Sequence, residues 1–241
     1  MTMNIAIDAG NSRIKWGLHD GTSWTEFGNL PTEDAGRLSG VIAGWPLDAP
    51  VVACNVAGPV VEKTIEAALA ERGVKLRWVR SGPSACGVRN GYDQPERLGA
   101  DRWAALIGAR GKVQGACLVV CAGTATTVDW LDGEGNFRGG LILPGVNLML
   151  AALANNTAQL PFAEGEYRDE PHNTMDAIVS GCLHAQAGAI ERMFTKVSAE
   201  EDAICLLTGG AAHRILPCLG IPGRIEKSLV LDGLLRYAIT P

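Results

Sequence analysis

The chain has 241 residues, of which 47% are hydrophobic and 20% are charged, and its formal net charge is −5. This length suits one large domain or two small ones, and the composition excludes a disordered protein. The acidic balance argues against a nucleic-acid partner, because binding to a phosphate backbone requires a basic surface.

Nothing in the sequence predicts a membrane or export segment. The N-terminus runs directly into an apolar strand pattern without a basic flank, and the longest apolar region, Leu141 to Ala154, is interrupted by Pro144, Gly145 and Asn147. Seven cysteines show neither zinc-ligand spacing nor a C-x-x-C pair. We therefore expect a cytoplasmic protein with no membrane partner.

In the first half of the chain, apolar patterning predicts three strands, a helix and a further strand. The predicted elements are strands at Asn4–His19, Ser23–Leu30 and Val51–Val56, a helix at Val60–Arg72 and a strand at Lys75–Arg80. A loop rich in Gly, Pro and Asn is expected from Ser81 to Pro95, followed by a helix from Glu96 to Lys112.

The second half repeats this pattern. The predicted elements are a hairpin at Ala116–Leu131, a strand at Asn136–Leu143, helices at Val146–Ala154 and Met175–Val197, a strand at Ala203–Thr208 and a last helix at Leu229–Ile239. The alternation of strands and helices predicts a layered α/β fold. We expect the boundary between the two halves near Gly111–Gly115.

Two glycine-containing hairpins, one in each half, are the most informative motifs. Ala9-Gly10 aligns with Ala122-Gly123 at an offset of 113 residues, with an apolar run on either side of each turn. Glycine turns expose backbone N–H groups that can bind phosphate oxygens. Two of them predict a duplicated fold that binds a nucleotide.

Side chains around these turns can serve phosphate chemistry. Asp8 ends a buried strand, where its carboxylate can meet metal-bound water or phosphate, and Lys15 can supply positive charge. In the second hairpin, Gly123–Asp129 offers threonine hydroxyls and backbone amides. The alternatives are an ordinary Asp-stabilised hairpin with a solvated lysine and a strand rich in threonine for its β-propensity.

Two further segments are candidates for ligand contact. Leu207–Ala212 runs from a strand through Gly209-Gly210 towards a helix, and such a turn lets the backbone approach an adenosine closely; a purely steric need for glycine is the alternative. Asp101, near a helix start, is the candidate base, and Arg102 can steady negative charge. Simple helix capping by Asp101 is the competing interpretation.

These motifs, in this order, closely resemble type III pantothenate kinase, a member of the superfamily that contains acetate kinase, sugar kinases and actin. The segments that carry the resemblance are Asp8–Lys15, Gly99–Arg102, Gly123–Asp129, Gly139–Gly145, and Asn173-Thr174 with Gly181. The resemblance implies a duplicated actin-like (ribonuclease H-like) ATPase fold. Its two lobes would be 1–112 and 113–241, with a nucleotide cleft between them.

The resemblance also implies an activity, which is ATP-dependent phosphorylation of pantothenate at its 4′ hydroxyl, the first step of coenzyme A biosynthesis. Asp101 would be the general base. The residues that would bind ATP are Asp8, Ala9, Gly10, Asn11, Ser12, Arg13, Ile14, Lys15 and Thr124. Those that would bind pantothenate are Tyr92, Gly99, Ala100, Asp101, Arg102 and Thr174, with Thr174 supplied by the neighbouring subunit of a homodimer.

The same resemblance implies two bound metal ions. Magnesium would accompany the nucleotide and meet Asp8 through a bound water. Many family members also bind a monovalent cation, K⁺ or NH₄⁺, through an aspartate at the position of Cys121. Because a neutral thiol is a poor ligand for a hard cation, we expect cation activation here to be weakened, lost or served by other groups.

Two alternative functions remain open at the level of sequence. One is a kinase of the same fold that phosphorylates another small alcohol, such as a sugar, because the ATP motifs do not distinguish acceptors. The other is a regulatory protein, since members of this family have been labelled transcriptional accessory factors. The acidic balance and the absence of a DNA-binding helix pattern disfavour direct DNA binding.

Overall fold

The computed structural model describes residues 3–156, 165–200 and 202–240. In these ranges the strands are β1 (Asn4–Ala9), β2 (Arg13–His19), β3 (Trp24–Pro31), β4 (Val51–Asn55), β5 (Leu76–Trp78), β6 (Ser84–Ala85), β7 (Val88–Asn90), β8 (Cys117–Ala122), β9 (Ala125–Leu131), β10 (Asn136–Pro144), β11 (Ile204–Thr208) and β12 (Gly223–Ile225).

The α-helices of the same ranges are α1 (Leu38–Ile42), α2 (Pro59–Ala70), α3 (Ala100–Lys112), α4 (Val146–Asn156), α5 (Thr174–Val197), α6 (Ala212–Ile215) and α7 (Leu229–Ile239). Short 3-10 helices lie at Thr32–Arg37, Pro95–Arg97 and Leu216–Cys218. No helix among the described residues has the length and apolar character needed to span a membrane.

The chain divides into two compact units. Unit 1 comprises Met1–Lys112 together with Ser228–Pro241, and unit 2 comprises Val113–Lys227. The last helix, which the sequence places in the second lobe 113–241, therefore belongs to unit 1. Its packing explains this: Gly108 on α3 and Gly233 on α7 let the two helix backbones approach so closely that a Cβ at either position would collide with the other helix.

Each unit is built on a sheet of the same design, which bears out the predicted duplication. In unit 1 the strand order is β3-β2-β1-β4-β5, and in unit 2 the strands β8–β12 follow the order β12-β11-β8-β9-β10. In both, the first strand is antiparallel to the second and parallel to the fourth. The third strand is antiparallel to the second in each case.

Each unit has its own apolar core. In unit 1 the alternating residues Ile5, Ile7 and Ala9 of β1 pack with the α1–α2 side of the sheet. In unit 2 Leu118, Val120 and Ala122 of β8 pack beneath the long helix α5. These strands are buried on both faces, which is why their sequences read as continuous apolar runs.

Several segments differ from the sequence-based expectation. The expected strand Asn4–His19 is two strands, β1 and β2, separated by the turn at Gly10. The expected loop from Ser81 to Pro95 contains the β6–β7 hairpin, whose two short strands pair antiparallel around Cys86-Gly87, both in the left-handed region. Helix α3 begins at Ala100 rather than Glu96, because Leu98 is extended after the 3-10 turn Pro95–Arg97. The helical segment Thr32–Ile42 and strand β12 lacked a periodic signal long enough to predict.

Candidate active site

The first hairpin presents its turn at the end of β1 and β2. The Gly10 amide donates to the carbonyl of Arg13 at 3.0 Å, and the Thr32 hydroxyl donates to the carbonyl of Gly10 at 2.7 Å. Asn11, Ser12 and Arg13 are exposed at this tip. The sequence-predicted phosphate segment therefore forms an anchored turn with an accessible backbone.

Behind the tip, three side chains form a row across neighbouring strands. Asp8 on β1 is in register with Lys15 on β2 and with Cys54 on β4. The Nζ of Lys15 lies 3.9 Å from Oδ2 of Asp8, and the thiol of Cys54 donates to Oδ1 at 3.6 Å. Asp8 is only 7% exposed, so the carboxylate is largely removed from water.

This burial raises the pKa of Asp8 to about 6. The positive charge of Lys15 acts in the opposite direction, and the negative charge of Asp101 adds to the increase. Burial, with the charges of Asp8 and Asp101, likewise raises the pKa of the Cys54 thiol well above its ordinary value. The fold thus brings Asp101 into electrostatic reach of the Asp8–Lys15 pair, although the three are distant in sequence.

Cys54 is a site residue that sequence reasoning missed. It lies inside the predicted strand Val51–Val56, and nothing local marks it as different from a small core residue. The topology could have indicated it. If the strand Val51–Val56 runs parallel to the first strand, the C-terminal end of Val51–Val56 must lie beside Asp8.

Asp101 is the second residue of α3 and is partly exposed. Its Oδ1 accepts the amide of Arg102 at 2.8 Å. A side chain at Gly99 would place its Cβ 2.7 Å from this same oxygen, so glycine leaves the room that the carboxylate occupies. Asp101 therefore lies inside the first turn and is not the N-cap residue of α3. Its bond to the Arg102 amide uses only one carboxylate oxygen, so it is compatible with a role in proton transfer.

Tyr92 and Arg102, both predicted to hold pantothenate, are joined to each other. Nη1 of Arg102 donates to the Tyr92 hydroxyl at 2.8 Å, and the guanidinium carbon lies 5.6 Å from the centre of the ring. Arg102 is only 5% exposed, and the Asn90 side chain accepts the backbone amide of Tyr92. The pair forms one polar unit beside the start of α3.

The second hairpin exposes Gly123, Thr124 and Ala125 at its tip, where the Gly123 amide donates to the Ala125 carbonyl at 3.0 Å. Its turn is one residue shorter than the first. By the duplication Cys121 corresponds to Asp8, and its register neighbours are Thr127 and Thr208. The row that carries charge in unit 1 is neutral in unit 2.

Two turns pack against this second hairpin. Gly209, with φ +97°, brings the turn after β11 so close to β8 that a Cβ there would collide with the Ala122 carbonyl. On the other side the Gly145 amide, at the start of α4, donates to the Thr124 carbonyl at 2.9 Å. The predicted adenosine turn therefore adjoins the predicted phosphate turn within unit 2.

Thr174 is the first residue of α5 and is exposed. It lines a groove of about 500 Å³ between α4 and α5, whose other walls include Met149, Leu153 and Gly181. The hydroxyl lies at the edge of a mainly apolar surface. Thr174, Thr124 and Cys121 belong to unit 2, whereas the other predicted site residues belong to unit 1.

The carboxylates of unit 1 fit a divalent cation that arrives with a nucleotide. No group of three or more His, Cys, Asp or Glu side chains is gathered for a metal among the described residues. Mg²⁺ at phosphate-transfer sites needs only one or two carboxylates together with phosphate oxygens and water. Asp8, whose buried charge is energetically unfavourable, and Asp101 match this requirement.

The neutral row of unit 2 does not fit a monovalent cation in the same way. Cys121 supplies a soft sulfur, and its neighbours Thr127 and Thr208 supply neutral hydroxyls. K⁺ prefers hard oxygen donors, and none of these three carries the negative charge that would offset its dehydration.

Solved structures share this fold. A Baf family transcriptional activator described as putative, from Campylobacter jejuni, superimposes with a TM-score of 0.65 and 18% identity, covering 97% of this chain and 96% of that one. A 2-dehydro-3-deoxygalactonokinase, also described as putative, from Sinorhizobium meliloti gives a TM-score of 0.62 at 15% identity and covers 98% of each. MreB5 of Spiroplasma citri bound to ADP gives 0.54 at 9% identity, covering 97% of this chain and 95% of that one. These likenesses show the actin-like ATPase fold.

Sequence relatives go further than the fold. The type III pantothenate kinase of Aromatoleum aromaticum is 54% identical over 232 residues, 96% of each chain. That of Dechloromonas aromatica is 48% identical over 237 residues, covering 98% of this chain and 99% of the relative. The profile of the family described as type III pantothenate kinase matches residues 4–196. This chain belongs to the type III pantothenate kinase family.

Proposed function

We propose that this chain transfers the γ-phosphoryl group of ATP to the 4′ hydroxyl of pantothenate, with Asp101 as the general base. Family membership over residues 4–196 carries the reaction itself: the chain is a phosphotransferase that uses ATP to phosphorylate pantothenate in coenzyme A biosynthesis. The assignment of individual residues rests on the geometry of unit 1.

Phosphoryl transfer requires separate contributions from Asp8, Lys15 and Asp101. Such transfer depends mainly on positioning and on electrostatic stabilisation of phosphate charge. Lys15 supplies positive charge, while Asp8 would hold a magnesium ion through a bound water, and that ion would offset phosphate charge. Asp101 accepts the proton of the attacking hydroxyl, a role supported by its partial exposure at the start of α3 and by its electrostatic coupling to Asp8.

Pantothenate is bound beside this centre. The Tyr92–Arg102 pair presents a phenol and a nearly buried guanidinium, which suit the carboxylate and hydroxyl groups of this acceptor. Gly99 and Ala100 have little or no side chain and add backbone amides where the acceptor hydroxyl must approach Asp101. A sugar lacks the carboxylate that Arg102 would neutralise.

The protein acts as a homodimer in which Thr174 completes the neighbouring subunit's site. Large apolar side chains are exposed on β10 and α4, and this surface adjoins the groove that Thr174 lines; they are Leu141, Ile142, Leu148 and Leu153. A second copy of the chain would bury such a surface, whose exposure is unfavourable in a monomer.

Catalysis proceeds without an essential monovalent cation at the second hairpin. This is supported by the neutral Cys121–Thr127–Thr208 row described above. We also assign the protein to the cytoplasm, since all seven cysteines are thiols, as a reducing compartment would keep them.

The regulatory alternative is not favoured. The transcriptional-activator label belongs to a structure only 18% identical, a likeness that shows the fold alone. The sugar-kinase alternative likewise rests on fold, at 15% identity.

The deciding experiment is phosphoryl transfer from ATP to pantothenate by the purified protein with magnesium, with and without potassium. We expect 4′-phosphopantothenate at similar rates under both conditions. Absence of product from folded protein that binds ATP would refute the proposed acceptor. A strong potassium requirement that persists in Cys121→Ser would show that other groups bind the cation, and one abolished in that variant would contradict our interpretation of Cys121.

A further inference from the structure

The carboxylate of Asp8 accepts a single hydrogen bond from the described residues, and its donor is Cys54. The thiol donates to Oδ1 at 3.6 Å, whereas the Lys15 Nζ, 3.9 Å from Oδ2, is too far away for a hydrogen bond. Cys54 is fully buried, and Asp8 is nearly so. A buried carboxylate is therefore bound by a side chain to which the roles above assign no function.

The order of the strands places Asp8 between its two partners. Strand β1 lies between β2 and β4, and Asp8 is in register with Lys15 on β2 and with Cys54 on β4. Residues directly opposite each other on neighbouring strands point to the same face of a sheet. One carboxylate oxygen is consequently bonded on the β4 side, and the other faces Lys15 on the β2 side.

The thiol also lies on the side of the sheet that faces the proposed chemistry. Ala53, the neighbour of Cys54, packs with α1 and α2, so Cys54 points to the opposite face. Helix α3 packs on β4, and the negative charge of Asp101 in its first turn reaches both Asp8 and Cys54. Cys54 thus belongs to the surroundings of the two carboxylates and not to the apolar core beneath α1 and α2.

We propose that Cys54 is a positioning residue, which fixes the orientation of the Asp8 carboxylate and leaves Oδ2 available on the side of Lys15. This rests on the proposed function, in which Asp8 meets magnesium through a bound water. The terminal torsion of an aspartate is broad when nothing restrains it. Because the thiol restrains this torsion from the β4 side, the carboxylate loses less freedom when the nucleotide and its cation bind.

The test measures ADP affinity by calorimetric titration of the purified protein, with magnesium and with EDTA. Magnesium should raise the affinity of the wild type. Cys54→Ala should reduce this increase by about two- to fivefold, the scale of one weak hydrogen bond, and leave the magnesium-free affinity unchanged. Cys54→Ser has nearly the same volume as Cys54→Ala but keeps a donor, so it should lie closer to the wild type. Cys205→Ala removes another fully buried thiol, from the core of unit 2, and should change neither affinity.

Asp8→Asn provides a second test, because it removes the charge through which Cys54 would act. In that background, Cys54→Ala should have no further effect on the magnesium-dependent increase in ADP affinity. If the thiol served packing alone, the two backgrounds would show the same loss.

Several results would overturn the assignment. An unchanged magnesium effect in Cys54→Ala would show that the thiol does not influence Asp8, and absence of the effect in the wild type would remove the metal contact. An equal loss of affinity with and without magnesium, or an equal loss in Cys54→Ser, would make Cys54 a packing residue. By contrast, a wild-type protein that shows the magnesium effect but does not phosphorylate pantothenate would refute only the proposed acceptor.

Discussion

Asp8 shows how a site residue can oppose stability. Its carboxylate is removed from water, faces Lys15 at 3.9 Å and receives only a weak thiol donor from Cys54. The raised pKa shows that these partners do not compensate for burial. A cation that arrives with the nucleotide would stabilise this buried negative charge. The arrangement is consistent with a loss of stability in exchange for function at active sites.

The pKa of Asp8 predicts how stability varies with pH. Because the folded value of about 6 exceeds the ordinary value of 3.8, the folded state binds more protons between these limits. The free energy of unfolding therefore falls as pH rises through this window, by up to about 3 kcal/mol. Urea unfolding without nucleotide or magnesium should show Asp8→Asn more stable than wild type at pH 7.5, with the gain disappearing near pH 4.

Asp20 serves as a control, because its pKa is shifted in the opposite direction from that of Asp8. Hydrogen bonds from the Ser23 and Thr22 amides lower the pKa of this exposed carboxyl, so its contribution is present above the ordinary value and lost as pH falls. Asp20→Asn should give no gain at pH 7.5. A difference between Asp8→Asn and wild type that does not vary with pH would contradict the assigned shift.

We expect substitution of Asp101 to impair proton transfer more than substitution of any other site residue. Asp101→Asn keeps the size of the side chain and its acceptor for the Arg102 amide, but it cannot take up a proton. We expect turnover to fall by about 10²–10⁴-fold with ADP affinity unchanged. Asp93→Asn, an exposed neighbour in the preceding loop, is the control. Near-normal turnover in Asp101→Asn would exclude Asp101 as the base.

At the level of elements, the α3–α7 contact determines which residues belong to unit 1. Gly108 and Gly233 allow close backbone packing, and Asp232 on α7 accepts hydrogen bonds from Trp24 Nε1 at 2.7 Å and from Ser228. The Lys112 Nζ lies 3.1 Å from the same carboxylate. The last helix thereby supports the helix whose first turn carries Asp101.

Gly233→Ala should therefore destabilise the protein. The added Cβ would collide with the Ala104 carbonyl, and backbone cannot move as a flexible side chain does. We expect a loss of about 1–3 kcal/mol in the free energy of unfolding, measured by urea titration. Gly188→Ala on α5 makes the same change where a Cβ meets nothing within 4 Å, and it should be neutral or stabilising. Equal effects of the two variants would refute the packing argument.

At the scale of the whole molecule, the proposed dimer would complete each active site with Thr174 of the neighbouring subunit. The exposed apolar side chains of β10 and α4 lie near the groove of Thr174, which joins the proposed dimer surface to a proposed pantothenate residue. Two measurements can therefore test the proposal. One tests whether the subunits form a dimer, and the other tests whether two subunits contribute residues to one active site.

Ile142, 65% exposed, is the best position for testing association. Ile142→Glu should shift the protein towards monomer in sedimentation velocity, because burying a carboxylate at an apolar interface is costly. Val60→Glu, on a residue of α2 that is 76% exposed, introduces the same charge outside this surface and should leave the oligomeric state unchanged. A wild-type monomer would rule out the dimer.

A shared site also predicts complementation. Asp101→Asn and Thr174→Ala should each be impaired alone, yet mixed subunits should recover about a quarter of wild-type turnover, since half the dimers are mixed and each has one intact site. Refolding the two variants together and assaying pantothenate phosphorylation would measure this. No recovery despite formation of mixed dimers would place Thr174 and Asp101 in the same subunit's site.

Much of the architecture was predictable because it depends on local chemistry. Apolar runs closed by Ala9-Gly10 and Ala122-Gly123 predicted both hairpins, and the last helix was predicted at the bounds observed for α7. The β6–β7 hairpin was missed, because strands of two and three residues are too short to show an alternating pattern. The division of the chain into two units was only partly predictable. Gly233 assigns α7 to unit 1 only because it packs against Gly108 of α3, and the sequence does not show that contact.

The sequence by itself determined the α/β class, the duplication and the candidate residues Asp8, Lys15 and Asp101, because each depends on residue types at short spacing. Only the tertiary structure decided that Cys54 bonds to Asp8 and that Tyr92 and Arg102 act as a pair. Each of these contacts joins side chains brought together by sheet register or by packed turns. Such proximity is a property of the folded chain, and no local pattern encodes it.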